Sequence, residues 1–154
     1  MPRAFALVMS IVTSCLLVGP AAESSSRAQA PVQDDAKAVQ GTWVPVKAEM
    51  AGQVMPEAVL KTIVLKLDQG KYEVTVGGKI DKGTCTQDPT TKPKRLSIQG
   101  TDGPNAGKTF LCIYEIDGET FRVCYDLSGM KHPEDFATAK GTSLYLVTYT
   151  RKKE

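Results

Sequence analysis

Tyr72-Glu73-Val74-Thr75-Val76-Gly77-Gly78 is the stretch on which the fold turns. Tyr72, Val74 and Val76 fall on one side of an extended chain and Glu73 and Thr75 on the other, the period-two alternation of a half-buried strand. Gly77-Gly78 then offers two adjacent residues that accept positive φ at no steric cost, as a two-residue hairpin requires. Residues 79–86 read as the returning strand. Upstream, residues 62–67 (TIVLKL) are β-branched and apolar, and Asp68-Gln69-Gly70-Lys71 is a turn. Further upstream, residues 41–50 alternate, with Val44, Val46, Ala48 and Met50 expected on one face, and residues 56–60 form one helical turn.

Downstream the same punctuation continues. Residues 87–93 contain two prolines and read as a loop. Residues 95–99 are a short strand and residues 100–108 a Gly/Pro/Asn loop. Residues 109–116 and 119–126 form a hairpin about Asp117-Gly118, residues 127–141 a longer loop, and residues 142–151 the last strand. Short strands spaced roughly 8–12 residues apart, without a helical period, predict an all-β fold. Nearly every connection is hairpin-length, so the expected architecture is an eight-stranded antiparallel up-and-down barrel. Such a barrel is wide enough to be filled by its own side chains or to hold one small ligand.

The chain has 154 residues, 42% hydrophobic and 23% charged, which suits one globular domain plus a processed leader. With 19 Lys+Arg against 17 Asp+Glu the net charge is +2, so no basic excess exists to hold nucleic acid. One histidine, His132, leaves no two-histidine zinc motif and argues against a Ser-His-Asp triad.

Residues 1–22 read as a secretory signal: Arg3, an uncharged run over residues 4–18, a Gly19-Pro20 break, then Ala21-Ala22. The run is too short for a comfortable membrane span. Val12-Thr13-Ser14-Cys15 resembles a lipobox, which would lipidate Cys15, although Leu16-Leu17-Val18 continues the apolar run beyond it. Residues 23–37 read as a flexible tether, and residues 38–154 as the folded domain, periplasmic or extracellular. Export permits disulfides. Cys85, Cys112 and Cys124 allow one bridge in three pairings, or none if all are small buried hydrophobes. A two-residue turn at Asp117-Gly118 puts Cys112 and Cys124 on opposite faces.

Five motifs in order carry a family likeness: Val39-Gln40-Gly41-Thr42-Trp43, Gly70-Lys71-Tyr72-Glu73-Val74, Asp88-Pro89-Thr90-Thr91-Lys92-Pro93, Thr101-Asp102-Gly103-Pro104 and Ile113-Tyr114-Glu115-Ile116-Asp117-Gly118. Over residues 39–151 the chain resembles a family of small secreted lipocalin-like domains abundant in planctomycete bacteria, to which no biochemical role is attached. The resemblance implies a structural plug in which Trp43, entered through Gly41, closes one barrel end beneath Arg151 of the last strand. In the family pattern Cys124 is common while Cys85 and Cys112 are less typical, which implies a Cys85–Cys112 bridge.

Asp102-Gly103-Pro104-Asn105-Ala106-Gly107-Lys108-Thr109 superficially resembles a phosphate loop, but Asp102 stands where the first glycine belongs and a strand follows instead of a helix. His132-Pro133-Glu134-Asp135 reads as solvated surface. No cofactor and no metal is expected. Val46, Leu65, Tyr72, Val74, Leu96, Tyr114, Phe121, Tyr125 and Leu146 are expected to point inward, either filling the barrel or lining a ligand cavity. The leading expectation is a secreted, non-enzymatic protein that binds a small apolar or amphipathic ligand, with Tyr72, Tyr114 and Tyr125 as its polar contacts. The alternative is a protein-interaction or inhibitor module acting through residues 87–93, 100–108 and 127–141 at one barrel mouth, on an envelope protein as partner. A third is hydrolysis by His132 and loop carboxylates.

Overall fold

The computed structural model describes residues 34–154. The expected leader, Cys15 and most of the expected tether lie outside these residues. Two helical turns, α1 (Asp35–Ala38) and α2 (Glu57–Leu60), accompany nine strands: β1 (Gly41–Met50), β2 (Gln53–Val54), β3 (Ile63–Asp68), β4 (Lys71–Val76), β5 (Lys79–Asp88), β6 (Lys94–Asp102), β7 (Thr109–Asp117), β8 (Thr120–Asp126) and β9 (Leu144–Arg151). Strands β3 to β9 follow one another in space, and β1 pairs with both β3 and β9, so the sheet closes. Short β2 only adds Val54 and Gln53 to the end of β1. Eight antiparallel strands therefore ring the barrel, the all-β up-and-down, lipocalin-like architecture expected from the sequence.

The hairpins obey the turn chemistry. Val76 pairs with Lys79 across Gly77 (φ 56°) and Gly78 (φ 82°), the double positive φ of a tight hairpin. The last hairpin turns at Gly118-Glu119, with Asp117 opposite Thr120, one residue later than expected. A one-residue move of the turn shifts the pairing by two, which preserves the faces. Cys112 pairs with Tyr125 while Cys124 pairs with Ile113, so the two thiols do point to opposite sides of the wall.

One strand departs from simple alternation. The β1–β9 register breaks between Pro45 and Lys47. This bulge consumes an extra residue and switches the facing. Trp43 and Pro45 are buried before it and Ala48 after it. Val46, expected inside, is 58% exposed.

Two further expectations are corrected. The folded region begins before Ala38: Asp35, in α1, is buried and its Oδ2 accepts from Lys94 Nζ and Tyr114 Oη, both at 2.7 Å. The Cys85–Cys112 bridge does not form, and all three domain cysteines are free. Cys85 lies on β5 and Cys112 on β7, with β6 between them. Two strand spacings put their Cα atoms at least about 9–10 Å apart, beyond the roughly 7 Å reach of a disulfide.

Candidate functional site

The barrel has two unlike halves. At one end gather the starts of β1, β4, β6 and β8 with α1 against them. Trp43, fully buried, donates its indole N–H to the Val39 carbonyl at 2.8 Å. Phe121 lies 5.3 Å from Trp43, 6.2 Å from Tyr114 and 6.1 Å from Tyr149, ring centre to ring centre. Arg151 pairs with Trp43 across the β1–β9 ladder, and its guanidinium sits 4.3 Å above the indole. The expected Gly41, Trp43 and Arg151 group is thus assembled. This half is solid. Leu96, Tyr114 and Phe121, expected among ligand-lining positions, are buried within its side-chain core and do not reach the cavity.

The other half is hollow. A cavity of about 450 Å³ opens at the end formed by the β4–β5 hairpin, the loop over residues 103–108 and the start of the loop over residues 127–143. This volume falls within the range of small-molecule sites. Leu65, Tyr72, Val74 and Tyr125 line it, as the sequence led one to expect. Ile63, Ile98 and Phe110 extend the apolar wall, and Met50, Val76 and Leu127 form an exposed apolar rim. Leu146, by contrast, points outward with Lys47, Glu49 and Arg122 into a separate pocket beneath Phe136 and Thr138.

Polar groups are few and placed at defined points. Tyr72 stands opposite Gly83 in the β4–β5 ladder. A Cβ on Gly83 would lie 2.5 Å from Tyr72 Cε1, so glycine lets the phenol lie against the neighbouring backbone. From there Tyr72 Oη donates to Asp81 Oδ2 at 2.8 Å. Asp81 also accepts from the Asn105 backbone N–H at 2.9 Å and from Asn105 Nδ2 at 3.0 Å. The glycine-rich segment that superficially resembled a phosphate loop therefore folds down as a cavity wall, clasped by Asp81. Across the cavity the Tyr125 and Tyr149 hydroxyls lie 3.1 Å apart, and the Tyr145 ring stacks on Tyr125 at 5.5 Å.

Burial moves the ionisation of all these phenols to higher pH. It acts with the Asp81 hydrogen bond on Tyr72 and with Tyr149 and Tyr145 on Tyr125; on Tyr149 it acts with Tyr145 and against the Tyr125 hydrogen bond. Tyr145 is pushed up to about 12 by burial alone. The phenols are thus neutral hydrogen-bonding groups near pH 7, not bases.

Tyr145, Tyr149 and Asp81 were missed as site residues. In β9 the alternation that carries Arg151 onto Trp43 also carries Val147, Tyr149 and Tyr145 inward and excludes Leu146. In β5, Asp81, Gly83 and Cys85 alternate as buried positions. His132 lies on the outer side, where its Nδ1 is 2.8 Å from the Cys112 carbonyl oxygen. Among the described residues no group of His, Cys, Asp and Glu is arranged to hold a metal ion, and no helix is long and apolar enough to cross a membrane. The three loops expected to share one mouth do not: residues 89–93 join β5 to β6 at the solid end, and only residues 103–108 and 127–143 belong to the open end.

Compared with known protein families, with curated proteins and with solved structures, the chain matches none.

Proposed function

We propose that this chain is an exported, non-enzymatic binding protein that carries a small apolar or amphipathic molecule in the open half of its barrel. The observation behind this reading is the roughly 450 Å³ cavity, apolar in its walls, open at one rim and supplied with four tyrosine hydroxyls. A barrel that only had to be stable would gain from filling that volume, because empty space forfeits dispersion contacts. The solid half, with its Trp43 plug, supplies stability and leaves the other half free to bind. Residues 1–22 as a cleaved leader, with lipidation of Cys15 as a variant of it, agree with a role in the envelope or outside the cell. So does the resemblance of the sequence to secreted lipocalin-like domains.

The test is titration with a neutral probe that fluoresces in apolar surroundings, such as N-phenylnaphthylamine. Saturable one-to-one binding is expected, and Val74→Phe, which fills the cavity, should weaken it at least tenfold. Absence of saturable binding by the folded protein would reject the proposal.

A second reading is supported by the exposed apolar side chains at the same end: Val54 is 67% and Met130 83% exposed. Large apolar groups on mouth loops suit docking of an envelope protein. That reading expects binding of the partner to survive Val74→Phe and to fail with Met130→Asp.

A further inference from the structure

We infer that the cavity selects a protonated amine carrying an apolar tail, with the ammonium group seated against Asp81 and the tyrosine rings. This rests on the ligand-binding reading above and names its ligand class.

Three carboxylates in the described residues are buried: Asp35, Asp81 and Asp126. Asp35 is paired with Lys94 at 2.7 Å. Asp126 lies under its own loop and accepts from Ser128 N, Ser128 Oγ and Lys131 N. Asp81 differs from both. It lines the cavity, is 6% exposed, and has no Lys or Arg nitrogen within ion-pair distance among the described residues.

A carboxylate accepts about four hydrogen bonds. Asp81 Oδ2 takes two, from Tyr72 Oη and Asn105 Nδ2, whereas Oδ1 takes one, from Asn105 N. One acceptor position on Oδ1 remains for a donor from a ligand. A buried carboxylate without a cation is incompletely compensated, and an ammonium N–H would supply both charge and donor. The rest of the polar lining suits the same guest. Tyr72, Tyr125, Tyr145 and Tyr149 all line this one cavity, and clustered aromatic rings are the chemistry by which aromatic cages hold organic cations. The apolar wall of Leu65, Val74 and Phe110 would take the tail.

Lys108 lines the cavity from the exposed side of the same loop that carries Asn105. It is the one cationic side chain in the lining, so the experiment sets the two charges against each other. Decylamine, decanol and decanoate share a tail and differ in the head. Their competition with the neutral probe is measured at pH 7 on the whole protein and on Asp81→Asn.

Decylamine is expected to bind at least tenfold more tightly than decanol, with decanoate weakest. Asp81→Asn should erase the amine's advantage over decanol. Should that variant not fold, Tyr145→Leu keeps Asp81 and removes a ring, and should reduce decylamine binding severalfold more than decanol binding. Decanoate binding as well as or better than decylamine would overturn the inference and leave the ligand-binding reading standing. An amine preference that survives both variants would overturn it too. If none of the three ligands competes and the probe itself does not bind, the ligand-binding reading has failed first.

Discussion

The guanidinium of Arg151 is held over Trp43 by two backbone carbonyls: Nη1 donates to Gln40 at 2.6 Å and Nη2 to Ala38 at 2.8 Å. The last strand thereby fastens the segment that leads into the first, across the seam where β1 meets β9. Stacking on the indole adds about 0.5–2 kcal/mol, depending on how dry the contact is. Planarity matters, because the two N–H donors diverge in the plane that covers the ring. Lysine cannot reproduce that fork.

Gly41 is the residue that makes room for this arrangement. Its φ is +127°, and a Cβ there would lie 2.5 Å from Arg151 Nη1. Gly41→Ala should therefore cost about 1–3 kcal/mol in backbone strain, plus the displaced guanidinium bonds. Urea denaturation should show a lower midpoint with an unchanged slope. In Arg151→Ala the obstructing group is gone, so Gly41→Ala should cost less in that background. Additive losses would show that the guanidinium is not what Gly41 accommodates.

Asp35 ties α1 to the barrel floor. Asp35→Ala leaves the Tyr114 hydroxyl, buried at 1% exposure, without its acceptor. A loss of about 1–3 kcal/mol is expected. The Lys94 contribution is small because that ammonium is partly exposed and regains water. Tyr114→Phe in the Asp35→Ala background should recover part of the loss, since it removes the stranded hydroxyl. An unchanged midpoint for Asp35→Ala would show that α1 is not integral to the fold.

All five tyrosines of the chain are raised above their ordinary ionisation at 10.0, each chiefly by burial. A phenol raised in the folded state stays protonated where the unfolded chain has already lost its proton. The stability it contributes is complete below pH 10 and declines as pH rises above it. Each tyrosine removes about 1.4 kcal/mol per pH unit in that window. Phenolate absorbance should therefore stay low through pH 10 and rise together with unfolding. A folded protein whose phenols titrate near pH 10 would contradict the burial described here.

The thiols behave by the same rule. Burial pushes Cys112 far up and Cys124 up to about 11, in the latter against the opposing Ala137 contact, and it also raises Cys85. The thiolate is the reactive form. Cys85, Cys112 and Cys124 should react with a thiol reagent only slowly at pH 8 until denaturant is added. The domain over residues 34–154 should have the same mass with and without reductant. A loss of two hydrogens without reductant would restore a bridge.

Most of the fold was legible because hairpin barrels are written locally. Gly77-Gly78 and Gln69-Gly70 encode their turns within a few residues, and period two encodes the walls. The bulge at Pro45–Lys47 is not local. It arises from pairing with β9, more than a hundred residues away in sequence, so alternation read from β1 alone put Val46 on the wrong side. Asp35 was hidden for a related reason: its partners Lys94 and Tyr114 are distant in sequence, and a Ser/Ala/Gln-rich approach masks one anchoring carboxylate. The outward facing of Leu146 follows from the sequence once its strand is anchored. Placing Arg151 over Trp43 already fixed the parity of β9 and selected Tyr145 and Tyr149. The division into a solid and a hollow half depends on how the inward side chains meet across the barrel, which strand patterns do not specify.

On the proposed ligand-binding reading that division separates stability from binding, and four alanine substitutions test it. Leu96 is 4% exposed in the filled half, so Leu96→Ala should cost about 2–5 kcal/mol and leave probe affinity unchanged in the folded protein. Leu65 is 6% exposed and also lines the cavity. Its truncation should lower both stability and affinity, the former by less, because the hollow beside it already denies it partners. Val46, outside the bulge, should be neutral in both within about 0.5 kcal/mol. Leu146, under Phe136 and Thr138, should affect stability alone. An affinity loss from Leu96→Ala or Leu146→Ala equal to that from Leu65→Ala would mean that binding responds to the whole barrel, not to its open half.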